Sequence, residues 1–160
     1  ILTARLSAKR WEEIGAGLGR VYHSGRKAMK QAQKTPSPEC LHEWRKQAKY
    51  LWHQLQLLEQ MAPGPIGALA DQMHKLSDYL GDDHDLAVLR EKVTTYADKF
   101  PAPDGPRGLL ALIDRCQDRL RARAFFVGRR IYADKPADFT NRFTRYWRRW
   151  NKQRRQRAKA

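Results

Sequence analysis

Proline and glycine breakers divide this chain into segments, and each segment repeats its apolar residues every three or four positions. The breaks fall at residues 35–38, 63–65, 101–106 and 134–136. A spacing of three and four is the period of an amphipathic α-helix, and no segment alternates with the period of a strand. The sequence therefore predicts an all-α protein. Long helices joined by short turns favour an antiparallel up-and-down helical bundle of about five helices.

The breakers also set the expected helix bounds. We place the helices at about 4–34, 38–61, 66–96, 107–132 and 136–153, so that one domain covers residues 1–153 and a basic C-terminal tail covers 154–160. Ser37 and Pro38 are typical of a helix N-cap and first turn. We expect the third helix to be interrupted near Gly81, with Asp82 and Asp83 capping the amides of the new turn.

Each predicted helix carries one apolar stripe, which we assign to the core. In the first helix the stripe is Ile14, Leu18, Val21, Ala28 and Ala32, and in the second it is Leu41, Trp44, Ala48, Leu51, Leu55 and Leu58. In the fourth it is Leu109, Leu112, Cys116, Leu120, Val127 and Ile131, and in the fifth it is Phe139, Phe143, Tyr146 and Trp150. We interpret the aromatic residues of the fifth helix as core rather than as a platform for stacking bases.

The charge of the chain is strongly unbalanced. Lys and Arg number 32 against 17 Asp and Glu, which gives a net charge of +15. Such a charge destabilises a folded domain by self-repulsion and so indicates a polyanionic partner. No apolar run has the length of a membrane span, and no secretory signal opens the chain. With two widely separated cysteines, Cys40 and Cys116, these features predict a cytoplasmic protein without a membrane partner.

The positive charge is concentrated on one sector of each of the first two helices. At about 100° per residue, the sector of the second helix holds His42, Arg45, Lys46, Lys49 and His53. The sector of the first helix holds Arg20, His23, Lys27, Lys30 and Lys34, with Arg26 beside it. Ordinary polar faces mix charge signs to gain i,i+4 pairs. Two rows of cations without acids therefore predict a groove that binds an anion, and a merely solvated face is the alternative.

A flexible linear polyanion suits these rows best. Arginine binds phosphate oxygens in pairs, lysine acts as a mobile point charge, and histidine gains charge when an anion approaches. No motif that reads bases is present. A nonspecific nucleic-acid binder remains the alternative, because that function needs only charge and nine basic residues with no acid follow Asp138.

The sequence contains no recognisable catalytic set. The serines lack the context of an activated nucleophile, and no glycine-rich phosphate loop is present. Residues 82–85 read Asp-Asp-His-Asp, but adjacent helical residues point in different directions, so we predict no metal site and no cofactor. We expect no enzymatic activity. The further alternatives are a metal-dependent phosphohydrolase, or the accessory half of a triphosphatase or other polyphosphate-metabolising protein.

Four segments, in order, resemble the signature of the CHAD family, the conserved histidine α-helical domain. Residues 22–26 resemble Y-x-x-G-R, residues 42–49 resemble H-x-x-R-K-x-x-K, residues 80–89 resemble L-G-x-x-h-D-L-x-V-L, and residues 128–150 fit the ending. The resemblance implies a helical domain that binds inorganic polyphosphate in a basic pore, targeting to polyphosphate granules, and a CYTH-type triphosphatase domain upstream or in trans. The anion-contacting residues that it implies are His42, Arg45, Lys46, Lys49, Arg26 and Lys30.

The chain departs from the family in one respect. The family domain usually holds two related halves, each with its own H-x-x-R-K helix, whereas this sequence has one such helix and no internal repeat. The chain therefore looks like the C-terminal half. A pore made between halves would then require the missing N-terminal half or a second copy of the chain in a homo-oligomer.

Overall fold

Five helices make up the described part of the chain. The computed structural model describes residues 8–100 and 104–158. The helices are α1 (Ala8–Lys34), α2 (Pro38–Leu58), α3 (Pro63–Thr95), α4 (Gly105–Ile131) and α5 (Pro136–Arg157), and short 3-10 helices at Glu59–Met61 and Ala97–Lys99 follow α2 and α3. These residues contain no strand, which confirms the all-α prediction. The start expected for the first helix, at residue 4, lies outside the described residues.

Local sequence signals fix the helix starts. The Ser37 hydroxyl accepts a hydrogen bond from the Cys40 amide at 3.2 Å, and Pro38 opens α2, both as predicted. Proline also stands in the first turn of α3, α4 and α5, where its missing N–H costs no helical bond. The prediction was wrong at the end of α5, which continues as helix to Arg157 instead of fraying after residue 153.

The predicted interruption of α3 at Gly81 is wrong, and so is the capping role of the residues after it. Helix α3 runs unbroken from Pro63 to Thr95. A Cβ placed on Gly81 would lie 3.3 Å from Arg45 Nη2, so the glycine makes room for a side chain of α2. Asp83 is buried, and its carboxylate accepts a hydrogen bond from Arg121 Nε of α4 at 2.7 Å. Close packing between helices, rather than a turn, explains this segment.

Helices α1 to α4 alternate in direction. The His42 ring lies near the His84 ring and the Trp52 ring meets the His74 ring, which makes α2 antiparallel to α3. The short connection before α2 makes α1 antiparallel to α2, and the pairs Arg90–Asp114 and Asp83–Arg121 make α3 antiparallel to α4. Helices α1 and α3 therefore run in the same direction, opposite to α2 and α4.

Helix α5 departs from this alternation. Phe139 stacks on Tyr22 with ring centroids 3.8 Å apart, and Trp147 stacks on Trp11 at 5.6 Å. These two contacts make α5 antiparallel to α1. Helix α5 therefore continues in the direction of α4.

A tyrosine pair anchors the turn between α4 and α5. The Tyr22 hydroxyl donates to the backbone carbonyls of Ile131 and Asp134, each at 3.1 Å. Its ring lies 5.3 Å from the ring of Tyr132, and Gly25 leaves no room for a side chain beside Tyr132. Burial raises the pKa of Tyr22 to about 12 and also raises the pKa of Tyr132. The segment resembling Y-x-x-G-R therefore has a packing role.

The core predictions hold best for α2, where all six apolar residues are buried. In α1, Leu18, Ala28 and Ala32 are buried, Ile14 and Val21 are half-buried, and the prediction missed Trp11, Tyr22 and Met29. In α5, Phe139 and Phe143 are buried, Tyr146 and Trp150 are half-buried, and Trp147 was missed.

The predicted stripe of α4 is largely wrong. Leu112 is 49% exposed, and Leu109, Cys116, Leu120 and Val127 are half-buried, so Ile131 alone is buried as expected. The buried residues of α4 are Pro106, Ile113, Gln117, Ala124, Gly128 and Ile131. The helix turns this face inward because Gln117 Nε2 donates to the Asp83 carbonyl at 3.1 Å and Gly128 lies against Trp44 and Met29.

Two buried side chains lie towards the far end of the α3–α4 pair, away from the main core. Val93 and Ile113 are 4% and 2% exposed, yet they lie outside the main hydrophobic cluster. Helix α2 begins one turn before His42, the residue that meets His84, so the end of α3 extends beyond it. None of the helices in the described residues has an apolar stretch that could cross a membrane.

Candidate functional site

The basic side chains of α2 lie beside α3. The His42 and His84 ring centroids are 5.4 Å apart with their planes tilted by 47°. One turn further along, the Arg45 guanidinium lies over Gly81. We call this surface the α2–α3 groove. It also includes Lys49 and the pair of Trp52 and His74 described next.

The groove continues to Trp52 of α2 and His74 of α3. The His53 and Trp52 ring centroids are 4.7 Å apart, and the Trp52 ring meets the His74 ring edge-on at 4.4 Å. His74 Nδ1 lies 2.7 Å from a carboxylate oxygen of Asp78. Three of the chain's five histidines, His42, His84 and His74, therefore lie along the groove, while His53 is exposed beside Trp52.

Arg45 and Lys49 carry positive charges that are not paired within the part of the chain that the structure describes. Within residues 8–100 and 104–158, no carboxylate lies at ion-pair distance from either side chain. Arg45 is half-buried, and its Nε atom is buried without a hydrogen-bond partner. A buried donor without a partner costs free energy, more so when it is charged. An anion that enters the groove would reduce this cost.

Lys46 differs from its neighbours. Its Nζ lies 2.5 Å from Glu43, which also accepts a hydrogen bond from Gln47 at 2.8 Å. The hydrogen bond from Lys46 lowers the pKa of the Glu43 carboxyl, and the same bond raises the pKa of Lys46. The expectation of a basic row without acidic partners is therefore wrong at Lys46, where Glu43 forms the ion pair.

The N-terminal part of the basic row of α1 lies beside α5 rather than beside α3. Arg20 and His23 line an open groove between α1 and the start of α5, together with Gly19 and Thr140. Lys27, Lys30 and Lys34 are exposed further along α1, and Arg26 is half-buried. The expected convergence of both rows on one groove is not seen at Arg20 and His23, because these residues lie next to α5 and the α2 row lies next to α3. Anion binding by these residues stays a prediction.

Sequence reasoning missed the contribution of α3. His74, Gly81 and His84 follow one another by seven and three residues, a spacing that places them on one helix face. That spacing could have identified the second wall. The exposed carboxylates Asp82 and Asp85 lie on the same helix, whereas the cations Arg45 and Lys49 belong to the α2 wall. Among the described residues, no three His, Cys, Asp or Glu side chains are arranged to hold a metal ion.

Comparison with known proteins identifies the region that contains the groove. The model of the CHAD domain family matches residues 2–94, which include the described parts of α1 and α2 and nearly all of α3. Searches among curated proteins and among solved structures gave no match. CHAD domains are associated with polyphosphate-related proteins. Since the match covers more than half of the chain and includes both walls of the groove, this protein belongs to the CHAD family.

Proposed function

We propose that the protein binds inorganic polyphosphate in the α2–α3 groove and does not change it chemically. The observation that carries the proposal is the unpaired charge of Arg45 and Lys49 on a surface within the family-matched region. Linear polyanions bind such surfaces largely by releasing condensed counterions, which makes the affinity strongly dependent on salt.

The groove residues have different roles in this proposal. Arg45 offers a planar fork to two phosphate oxygens, and its packing over Gly81 limits the conformations it must lose on binding. Lys49 supplies a mobile charge one turn away. His42 and His84 offer ring N–H groups beside Arg45 that can donate to phosphate oxygens. Lys46 contributes less because it is paired with Glu43.

The length of the groove fits a chain rather than a single phosphate. His42 and Trp52, the two α2 residues whose rings meet α3, are ten residues apart, about 15 Å at 1.5 Å per residue. Several phosphate units can therefore contact the wall at once. Affinity should rise with chain length, and orthophosphate should bind very weakly.

The α1 row is proposed as a second contact surface. Arg20, His23, Lys27 and Lys30 are exposed, and Arg26 is half-buried beside them. A long chain that leaves the groove would meet these charges on the neighbouring helix. Targeting to polyphosphate granules, association with a CYTH-type triphosphatase domain, and completion of a pore by a missing half or a second copy belong to the same proposal.

A titration with three phosphates tests the proposal. Long-chain polyphosphate, tripolyphosphate and orthophosphate are titrated into the native chain, into R45Q/K49Q, and into R115Q/R119Q, which removes the same charge from exposed positions of α4. Two lost charge-assisted contacts, at about 1.5 kcal/mol each, should weaken long-chain binding about a hundredfold in R45Q/K49Q. The α4 variant should change it only slightly.

Two outcomes would overturn the proposal. Equal weakening in both variants would show that net charge alone holds polyphosphate. Release of orthophosphate from tripolyphosphate by the native chain, with or without Mg²⁺, would contradict binding without catalysis.

A further inference from the structure

Helix α5 carries another basic surface, outside the family-matched residues 2–94. It consists of five exposed side chains on one face, and we call it the α5 stripe: Arg145, Arg148, Arg149, Lys152 and Arg155. No acidic residue occurs between residues 139 and 158. None of the five lies at ion-pair distance from a carboxylate of the described residues.

The α5 stripe is more than the ordinary polar face of a helix. At about 100° per residue, its five members span a sector of about 120°, opposite the buried Phe143 and Trp147. Helix α4 shows the usual pattern, in which Asp114 and Asp118 alternate with arginines on the exposed face. Helix α5 forgoes such pairs and accepts repulsion between neighbours.

The helix dipole accounts for only part of this charge. Cations are favoured in the last turn of a helix, which covers the basic residues at 154, 155 and 157. Arg154 also covers the Trp150 ring at 4.6 Å. Arg145, Arg148 and Arg149 lie further back, where the dipole has little effect.

The shape of the stripe differs from that of the groove. Its charges spread over about 120° of one helix, and Arg148, Lys152 and Arg155 border an open depression of about 450 Å³ beside Trp147. Beyond the contact between Trp147 and Trp11, α5 continues to Arg157, about 15 Å further. An α-helix with its side chains is about 10–12 Å across, and the major groove of B-DNA is about 12 Å wide. The phosphates on the two sides of the DNA major groove would therefore meet both edges of the stripe.

We infer that the α5 stripe binds double-stranded DNA, with the helix in the major groove. Most of its contacts would be to phosphates, so sequence preference should be weak. The deep, narrow major groove of A-form RNA does not admit a helix, so duplex RNA should bind poorly. This surface is separate from the α2–α3 groove, and the inference does not depend on polyphosphate binding.

Fluorescence anisotropy with a 20-base-pair DNA duplex of mixed sequence tests the inference. The native chain should show a slope of about −4 to −5 in a plot of log affinity against log salt, from about 0.9 per neutralised phosphate. R148Q/K152Q/R155Q should reduce the steepness by about 2.7 and weaken binding at least tenfold. The matched control R115Q/R119Q/R123Q removes three exposed arginines from α4 and should retain the native slope.

Further measurements separate DNA binding by the α5 stripe from binding to duplex RNA and from binding in the α2–α3 groove. Duplex RNA of the same sequence should bind at least tenfold more weakly than DNA, and R45Q/K49Q should keep DNA binding whether or not it loses polyphosphate. Circular dichroism checks that each variant stays helical, and the single variant R148Q should still lower the steepness by about 1. Equal loss in the α4 and α5 triple variants, or equal binding of DNA and RNA, would overturn the inference.

Discussion

The helices matched by the family and the two helices that follow contribute differently to the molecule. Helices α1 to α3 hold the candidate groove, whereas α4 and α5 complete the core behind it. Trp44 of α2 stacks on Phe125 of α4 at 5.0 Å, and Tyr22 of α1 stacks on Phe139 of α5 at 3.8 Å. Residues that resemble the family signature thus divide into two kinds. Arg45 is directed to a groove, while Tyr22 packs against residues outside the match.

The Asp83–Arg121 pair links the two regions, and its loss should have the largest effect on stability. Asp83 is 2% exposed, and removing one partner of a buried pair costs about 3–5 kcal/mol. We expect D83A to lower the free energy of unfolding by about 3 kcal/mol, because Arg121 remains partly in water. Urea denaturation measures this loss. The control D85A removes an exposed carboxylate two residues away and should cost under about 0.5 kcal/mol. Equal losses in D83A and D85A would show that the buried pair does not hold the two regions together.

Two glycines of α4 predict the next largest change in stability, and they test how closely α4 packs against the helices matched by the family. A Cβ on Gly128 would lie 2.6 Å from Trp44 and 2.9 Å from Met29 Sδ, whereas a Cβ on Gly108 would meet nothing within 4 Å. We expect G128A to destabilise the fold by about 1–3 kcal/mol through overpacking. G108A should stabilise it by about 0.5–1 kcal/mol, since alanine favours a helix. Thermal melting of both variants tests this, and a stabilising G128A would contradict the described packing of α4 on α1 and α2.

Substitutions in the tyrosine pair should cause the smallest loss of stability at neutral pH and a separate, pH-dependent change at alkaline pH. Y22F leaves the carbonyl of Asp134 without its tyrosine donor and should cost about 1–2 kcal/mol. Y132F should cost less than about 1 kcal/mol, because the buried Tyr132 hydroxyl makes no well-formed hydrogen bond within the described residues.

The pH dependence follows from the raised pKa of Tyr22, about 12 in the fold against 10.0 ordinarily. The unfolded chain loses this proton first, so the stabilisation is complete below pH 10 and is lost as the pH rises from 10 to 12. Denaturation midpoints at pH 8, 10 and 11 should fall less steeply in Y22F than in the native chain. Parallel curves for the two proteins would show that Tyr22 does not contribute.

Helices α2 and α4 show what the sequence can and cannot predict about the fold. All six apolar residues of α2 were assigned correctly because they form a single stripe opposite charged residues. In α4, burial depends on partners distant in sequence. Gln117 is buried because it reaches Asp83, and Gly128 is buried because Trp44 needs the space. Such complementarity has no local signature.

The candidate site was predictable to a similar extent. The sign of the charges singled out Arg45 and Lys49, but the pairing of Lys46 with Glu43 depends on how side chains three residues apart reach each other. The place of Arg20 beside α5 depends on the order of helices around the bundle. Periodicity along a single helix does not contain that order.

The far end of the α3–α4 pair has a consequence for the motions of the molecule. Val93 and Ile113 are buried there but do not belong to the main cluster, so few buried side chains resist the opening of this end. Regions of this kind open locally while the rest of a protein stays folded. We expect backbone amides near Val93 to exchange with deuterium much faster than those near Leu51, so that this end behaves as its own cooperative unit.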